Sequence, residues 1–185
     1  MRFFAASAFV AFGFLPACHS ASDSAGALAQ DSSVLMSNDF EHNIGWGGAD
    51  LSSFSKEKAH SAHWSLRVTP ESPYSFTFAQ PLGELSSTPI QKMQLEAWVL
   101  RVAGGSTAQV VVQVDASKTD DKKVFYATLP LAEAVPTFGT WTAIHLPISL
   151  PTSAVGTNNL KVYLWNSSAT SPTFLDDIVL RQVDN

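Results

Sequence analysis

From Val34 onward the chain alternates apolar and polar positions in short runs. Trp64-Ser65-Leu66-Arg67-Val68 has a period of two, as does Tyr74-Ser75-Phe76-Thr77-Phe78. Met93, Leu95, Ala97 and Val99 alternate with Gln94, Glu96, Trp98 and Leu100, and Val110, Val112 and Val114 with Gln109, Val111 and Gln113. Further runs cover 124–129, 141–146, 160–165 and 174–180. Side chains that alternate with a period of two belong to strands with two unlike faces. Breakers stand between the runs: Pro70, Pro73, Pro81-Leu82-Gly83, Gly104-Gly105, Thr119-Asp120-Asp121, Pro136, Gly139, Pro151, Gly156 and Pro172. No segment sustains a helical period, and Leu131 to Val135 has room for one helical turn. About eight short strands with regular turn signals predict an all-β fold. One buried face per strand makes it a sandwich of two antiparallel sheets. No long-period repeat of a propeller or solenoid is present.

The first residues follow different rules. Arg2 supplies a positive charge, and Phe3 to Phe14 is an uncharged, largely apolar run. It is shorter than the roughly 20 residues a membrane-spanning helix needs and suits the apolar region of an export signal. It ends in Leu15-Pro16-Ala17-Cys18, which resembles the bacterial lipobox, Leu-x-Ala/Gly-Cys, with Pro16 an unusual occupant. The resemblance implies cleavage before Cys18, a signal peptide of residues 1–17, and acyl chains on Cys18 that hold the protein to a lipid bilayer. Several acyl chains give stable anchoring where one does not. Cys18 is the single cysteine, so no intramolecular disulfide forms. An ordinary secretory leader cleaved near Ala17 or Ala25 is the alternative. The expected location is the bacterial cell envelope, lipid-anchored at the outer membrane. Residues 18–35, rich in Ser, Ala, Asp and Gly, read as a flexible tether, and residues 36–185 as the folded domain.

Charge narrows the partners. A net charge of -5 argues against nucleic acid, whose affinity comes from Lys and Arg neutralising phosphates. Nucleophile-elbow, zinc-protease and phosphate-loop motifs are missing. His60-x-x-His63 sits at a strand entrance, where residues three apart point to opposite faces, so a shared metal is not expected. No pair of acids is placed as a glycosidase requires. The expectation is therefore a protein that is not an enzyme.

Four stretches carry a second resemblance: Asn38-Asp39-Phe40-Glu41; Lys58-Ala59-His60-Ser61-Ala62-His63-Trp64-Ser65-Leu66-Arg67-Val68; Leu95-Glu96-Ala97-Trp98-Val99-Leu100; and Phe174-Leu175-Asp176-Asp177-Ile178-Val179-Leu180. In order and spacing they are similar to the galactose-binding-like jelly rolls that include carbohydrate-binding modules of families four, nine and twenty-two. The resemblance covers residues 36–183 and implies a jelly-roll β-sandwich that binds carbohydrate. One departure is Ala62, where the family usually has Gly. The resemblance also implies a structural calcium ion between the first and last strands, held by Glu41 and Asp176, with Asp177 and the carbonyls of residues 58–61 as further candidates. Calcium takes six to eight oxygen ligands, which carboxylates and carbonyls supply. Strand parity places Asp176 on the inward face with Phe174, Ile178 and Leu180, where an unpaired charge is costly. A Lys or Arg partner, or backbone N–H donors, would satisfy it equally.

The same parity defines an outward face. With the aliphatic positions inward, Glu96, Trp98, Gln113, Tyr126, Lys161, Tyr163 and Trp165 point away from the core, beside Gln109. Aromatic faces stack on the C–H patches of sugar rings, while amides and charges bond hydroxyls. Trp46, Trp64 and Trp141 are expected to be structural. The expected function is a membrane-anchored, non-catalytic lipoprotein that captures or retains a polysaccharide or oligosaccharide. A cell-envelope module docking a protein partner is the second reading, and a small glycan hydrolase or lyase the third.

Overall fold

A computed structural model of the chain describes residues 33–42 and 52–183. Cys18, the expected signal peptide, residues 18–32 of the expected tether, and Trp46 lie outside the described residues, whereas Val34 and Leu35 at the end of that tether are strand. Ten strands and two single-turn helices follow one another: β1 (Val34–Asn38), β2 (Phe54–Ser55), β3 (Ser65–Val68), β4 (Phe78–Pro81), α1 (Leu82–Leu85), β5 (Lys92–Arg101), β6 (Gln109–Asp115), β7 (Lys123–Pro130), α2 (Leu131–Ala134), β8 (Thr142–Ser149), β9 (Asn159–Trp165) and β10 (Thr173–Gln182). The helical turn expected near Leu131 is α2. The run expected as a strand over residues 74–78 pairs regularly only from Phe78, with Tyr74 making a single bridge to Trp165.

The strands form two antiparallel sheets, a jelly-roll β-sandwich. One sheet has the order β2-β3-β10-β5-β8, with β1 also on β10; the other has the order β4-β9-β6-β7. The core between them is the alternation made solid. Met93, Leu95, Ala97 and Val99 of β5 meet Val110, Val112 and Val114 of β6 and Leu160, Val162 and Leu164 of β9, all buried in one apolar cluster.

Strand β10 is the seam of the larger sheet. Its residues 173–176 and 179–182 pair with β5. Its other edge is shared: β3 takes residues 173–175 and β1 takes residues 178–181. Between these stretches the register shifts, and Asp177 adopts a left-handed backbone with φ 47°. An irregularity of this kind reverses which face the following residues occupy. Leu175, Ile178 and Leu180 therefore all reach the core cluster, although 175 and 178 differ in parity. Asp176 does not share the inward face of Ile178 and Leu180 as unbroken alternation predicts. It pairs across from Trp98 while neighbouring Leu175 pairs with Val99 of the core, so Asp176 lies on the outer side of its sheet.

Candidate functional site

The outer face of the four-stranded sheet carries most of the expected ligand-binding residues. Register sets Gln109 across from Trp165, Val111 across from Tyr163 and Gln113 across from Lys161 on β9, and Gln113 across from Tyr126 on β7. Strand β4 with its preceding loop and strand β7 flank these two central strands. Four strands at about 4.8 Å spacing make a platform roughly 14 Å across. The middle of this face is sunken. Val111 and Asp115 are 0% exposed and Gln113 8%, whereas Tyr74 and Tyr126 stand 57% and 43% exposed on either side. The result is a groove with an apolar and hydrogen-bonding floor and aromatic rims.

Tyr74 reaches the groove because the segment before β4 is tied to the end of β9. The Asn166 N–H donates to the Pro73 carbonyl at 2.7 Å, the Ser75 N–H to the Leu164 carbonyl at 3.0 Å, and the Leu164 N–H to Ser75 Oγ at 2.9 Å. These bonds set Tyr74 parallel to Trp165, with ring centroids 6.0 Å apart and planes 8° apart, and bring it within 6.4 Å of the Tyr163 ring. Across the groove, the Lys123 ammonium lies 5.1 Å from the Tyr126 ring centroid.

A chain of polar groups runs along the floor. The Lys161 ammonium forms an ion pair with Asp115 Oδ2 at 2.6 Å, close in distance without the alignment of a good hydrogen bond. Gln113 Nε2 donates to Asp115 Oδ1 at 2.6 Å, and the Tyr163 hydroxyl donates to Gln113 Oε1 at 3.3 Å. A carboxylate only accepts, so Asp115 fixes which end of the Gln113 amide faces it, and thus which end faces Tyr163. Burial, with the nearby tyrosines Tyr126 and Tyr74 and then Asp115, pushes the Tyr163 phenol up to about 12. Tyr163 is a neutral hydroxyl at physiological pH, with acceptor capacity left for a ligand.

Glu96 and Trp98 do not join this face. They lie on β5, in the other sheet. Alternation tells which side of its own sheet a residue occupies, not which sheet it belongs to, and the two outer faces of a sandwich point in opposite directions. Trp98 is stacked under His60, centroids 4.0 Å apart and planes 13° apart, with Trp141 edge-on to the same imidazole at 5.7 Å. Glu96 lies 3.5 Å from His145 of neighbouring β8. The expected single face is thus two, with Gln113, Tyr126, Lys161, Tyr163 and Trp165 on one and Glu96 and Trp98 on the other. Two groove residues escaped the sequence reading. Asp115 continues the alternation of Gln109, Val111 and Gln113 and was within reach of the same argument. Tyr74 was not, because its place depends on a non-strand segment docking on β9.

The acids expected to hold calcium gather at the β10 irregularity. Asp176, fully buried, accepts at Oδ2 from the His60 and Ser61 N–H groups at 2.7 and 3.2 Å, and at Oδ1 from the Asp177 N–H at 2.8 Å. Asp177 takes His60 Nδ1 at 2.5 Å and the Ser61 hydroxyl at 2.6 Å. Glu41 Oε1 accepts from the His63 and Trp64 N–H groups at 2.7 and 2.6 Å. Desolvation pushes the Glu41 carboxyl upward, but those two bonds and the nearby His63 and His42 outweigh it and hold it below the usual value. All three positive-φ residues other than glycine among the described residues belong here: Phe40, Ala62 and Asp177. Ala62, where a glycine was expected, keeps the left-handed backbone, φ 42°, that glycine favours.

In this arrangement the acids are met by hydrogen-bond donors. The loop turns the N–H groups of His60, Ser61, His63 and Trp64 toward Asp176 and Glu41, and the Lys58 carbonyl accepts the Ser65 hydroxyl. Among the described residues no group of three or more His, Cys, Asp or Glu side chains is placed to hold a metal ion. The carboxylates clasp the loop of residues 60–64 by backbone hydrogen bonds, the alternative that the sequence left open.

No family model matches the sequence, and no curated protein matches it. Solved structures do. The tandem of two family 22 carbohydrate-binding modules from Paenibacillus barcinonensis Xyn10C superposes with a TM-score of 0.57 at 15% identity, covering 86% of this chain and 52% of that one. The chain thus spans about half of the tandem. The C-terminal family 22 module of Clostridium thermocellum Xyn10B, whose cleft residues have a role in ligand binding, gives 0.53 at 13% identity, covering 84% of this chain and 98% of the module. The first xylan-binding module of the Paenibacillus enzyme gives 0.51 at 20% identity, covering 82% and 96%. At these identities the likeness is one of fold: the chain has the β-sandwich of carbohydrate-binding modules.

Proposed function

We propose that the protein is a non-catalytic carbohydrate-binding lipoprotein of the bacterial cell envelope, anchored at the outer membrane through acylated Cys18, that captures or retains a polysaccharide. The observation that carries the binding reading is the sunken groove of the four-stranded sheet. Parallel Tyr74 and Trp165, with Tyr163 and Tyr126, offer ring faces to sugar C–H patches, and Lys161, Gln113 and Tyr163 offer donors and acceptors to hydroxyls. The fold shared with xylan-binding modules supports it. The carboxylate on the groove floor, Asp115, is tied up by Lys161 and Gln113, whereas hydrolysis of a glycosidic bond calls for two acids flanking it. Electrophoresis of the soluble domain through gels containing polysaccharides tests the reading: at least one gel should retard it, and free migration through neutral and acidic glycans alike would refute it. Anchoring is tested separately. Cys18→Ser should abolish incorporation of labelled fatty acid, and label retained on the variant would sink the lipidation site.

A further inference from the structure

An acidic side chain buried under a binding face is an odd thing to build. Asp115 is 0% exposed on the outer side of its sheet, away from the apolar core cluster. The Gln113 amide already covers one of its oxygens, and the Lys161 ammonium covers the other. A neutral acceptor at this position would hold the amide equally well. What the carboxylate adds is a negative charge 2.6 Å from the one ammonium that the groove floor presents.

We propose that Asp115 is a positioning residue that sets the charge selectivity of the groove, making it a site for uncharged sugars and against uronic acids. The proposal rests on the carbohydrate reading given above. The side chain of Lys161 is 31% exposed and that of Asp115 not at all, so a ligand meets the ammonium while the carboxylate behind it cancels the charge. The ammonium retains N–H donors for hydroxyl oxygens, yet as half of an ion pair it has little net attraction for an anion. Asp115 also orients Gln113, whose Oε1 draws in the Tyr163 hydroxyl proton and leaves the phenol oxygen to accept from the ligand. One buried acid therefore arranges a donor at one end of the floor and an acceptor at the other. Lys123 remains at the rim, over Tyr126, in wild type and variants alike.

The test is affinity electrophoresis in gels of neutral xylan, β-glucan or mannan and in gels of polygalacturonate or alginate. Wild type should be retarded by a neutral glycan and little by the acidic ones. Asp115→Asn keeps the shape, loses the charge and frees Lys161. Its retention by the neutral glycan should fall about tenfold, while retention by the acidic gels rises by a similar factor and vanishes again in 0.5 M salt, as exposed charge attraction does at roughly that ionic strength. Adding Lys161→Gln to that variant should remove the acidic gain. A merely structural role would weaken both kinds of binding together. Should Asp115→Asn fail to fold, Asp115→Ser, which also removes the charge and leaves a small polar side chain, takes its place in the same comparison: acidic retention must rise while neutral retention falls. An unchanged ratio of acidic to neutral retention in every folded variant overturns the inference while the carbohydrate reading stands. Wild type retarded by no glycan overturns both.

Discussion

Trp165→Ala is expected to weaken retention by the bound polysaccharide about thirtyfold and to lower the melting temperature by only a few degrees. The binding loss corresponds to about 2 kcal/mol, the usual threshold of a dominant contact residue. It is that large because two surfaces go at once. Tyr74 lies parallel to Trp165 at 6.0 Å, and without the indole its exposed ring loses its stacked partner and keeps only the tilted contact with Tyr163. The folding loss stays small because Trp165 points away from the core, where its neighbour Leu164 remains packed. Losing an aromatic pair costs about 0.5–1.5 kcal/mol, and a domain of this size moves roughly 2–4 °C per kcal/mol. Trp98→Ala should show the opposite pattern. Trp98 belongs to the other sheet and lies under His60, so binding should be unchanged while stability falls. Calorimetric melting and gel retention of the two variants separate the faces. Loss of binding in Trp98→Ala, with Trp165→Ala unaffected, would move the ligand to the larger sheet.

The two tryptophans also mark where sequence reasoning stops. Alternation in residues 93–99, 110–114 and 160–165 identified the core side of each strand, and the apolar cluster contains those positions. Burial against a second sheet imposes that pattern locally, residue by residue, so it is written in the chain. Which strands become neighbours is decided by long-range pairing. Trp98 and Trp165 have the same local signature and end on opposite sides of the sandwich. Asp176 shows a second limit. One left-handed residue at Asp177 shifts the register, and no glycine announces it. Everything inferred by parity across that point inverts, which is why Asp176 is on the outer side rather than the inner. Tyr74 shows a third. Its place follows from bonds at Pro73 and Ser75 to β9, in a segment whose alternation suggested a longer strand than forms.

Asp176→Ala should have the largest effect on folding, and its dependence on pH distinguishes what holds the clasp together. Truncation leaves the N–H groups of His60, Ser61 and Asp177 facing an empty space where an acceptor was. A buried donor without a partner costs about 1–3 kcal/mol, and with partial relaxation the sum is about 3–4 kcal/mol, or roughly 10 °C in melting temperature for a domain of this size. Desolvation pushes the Asp176 carboxyl from 3.8 up to about 6, past the three N–H bonds that pull it down, with the neighbouring Asp177 charge adding to the rise. The folded state therefore binds a proton that the unfolded state has released between these values. The stability this gives is fully present below about pH 3.8 and is lost as pH rises through about 6. The penalty of Asp176→Ala should accordingly be greatest at about pH 3.8 and below, decline through pH 4 to 6, and be smallest toward pH 7, where the wild-type carboxylate carries a desolvation cost that alanine lacks. Comparing variant with wild type at each pH cancels, to first order, the contribution of the His60–Asp177 pair, which both proteins keep. A bound cation would reverse the slope. Calcium or another positive charge at this point stabilises the ionised carboxylate, so the penalty would grow as pH rises, and a chelator would lower the wild-type melting temperature at neutral pH. The N–H clasp predicts a melting curve that a chelator leaves in place, and a penalty that falls with rising pH.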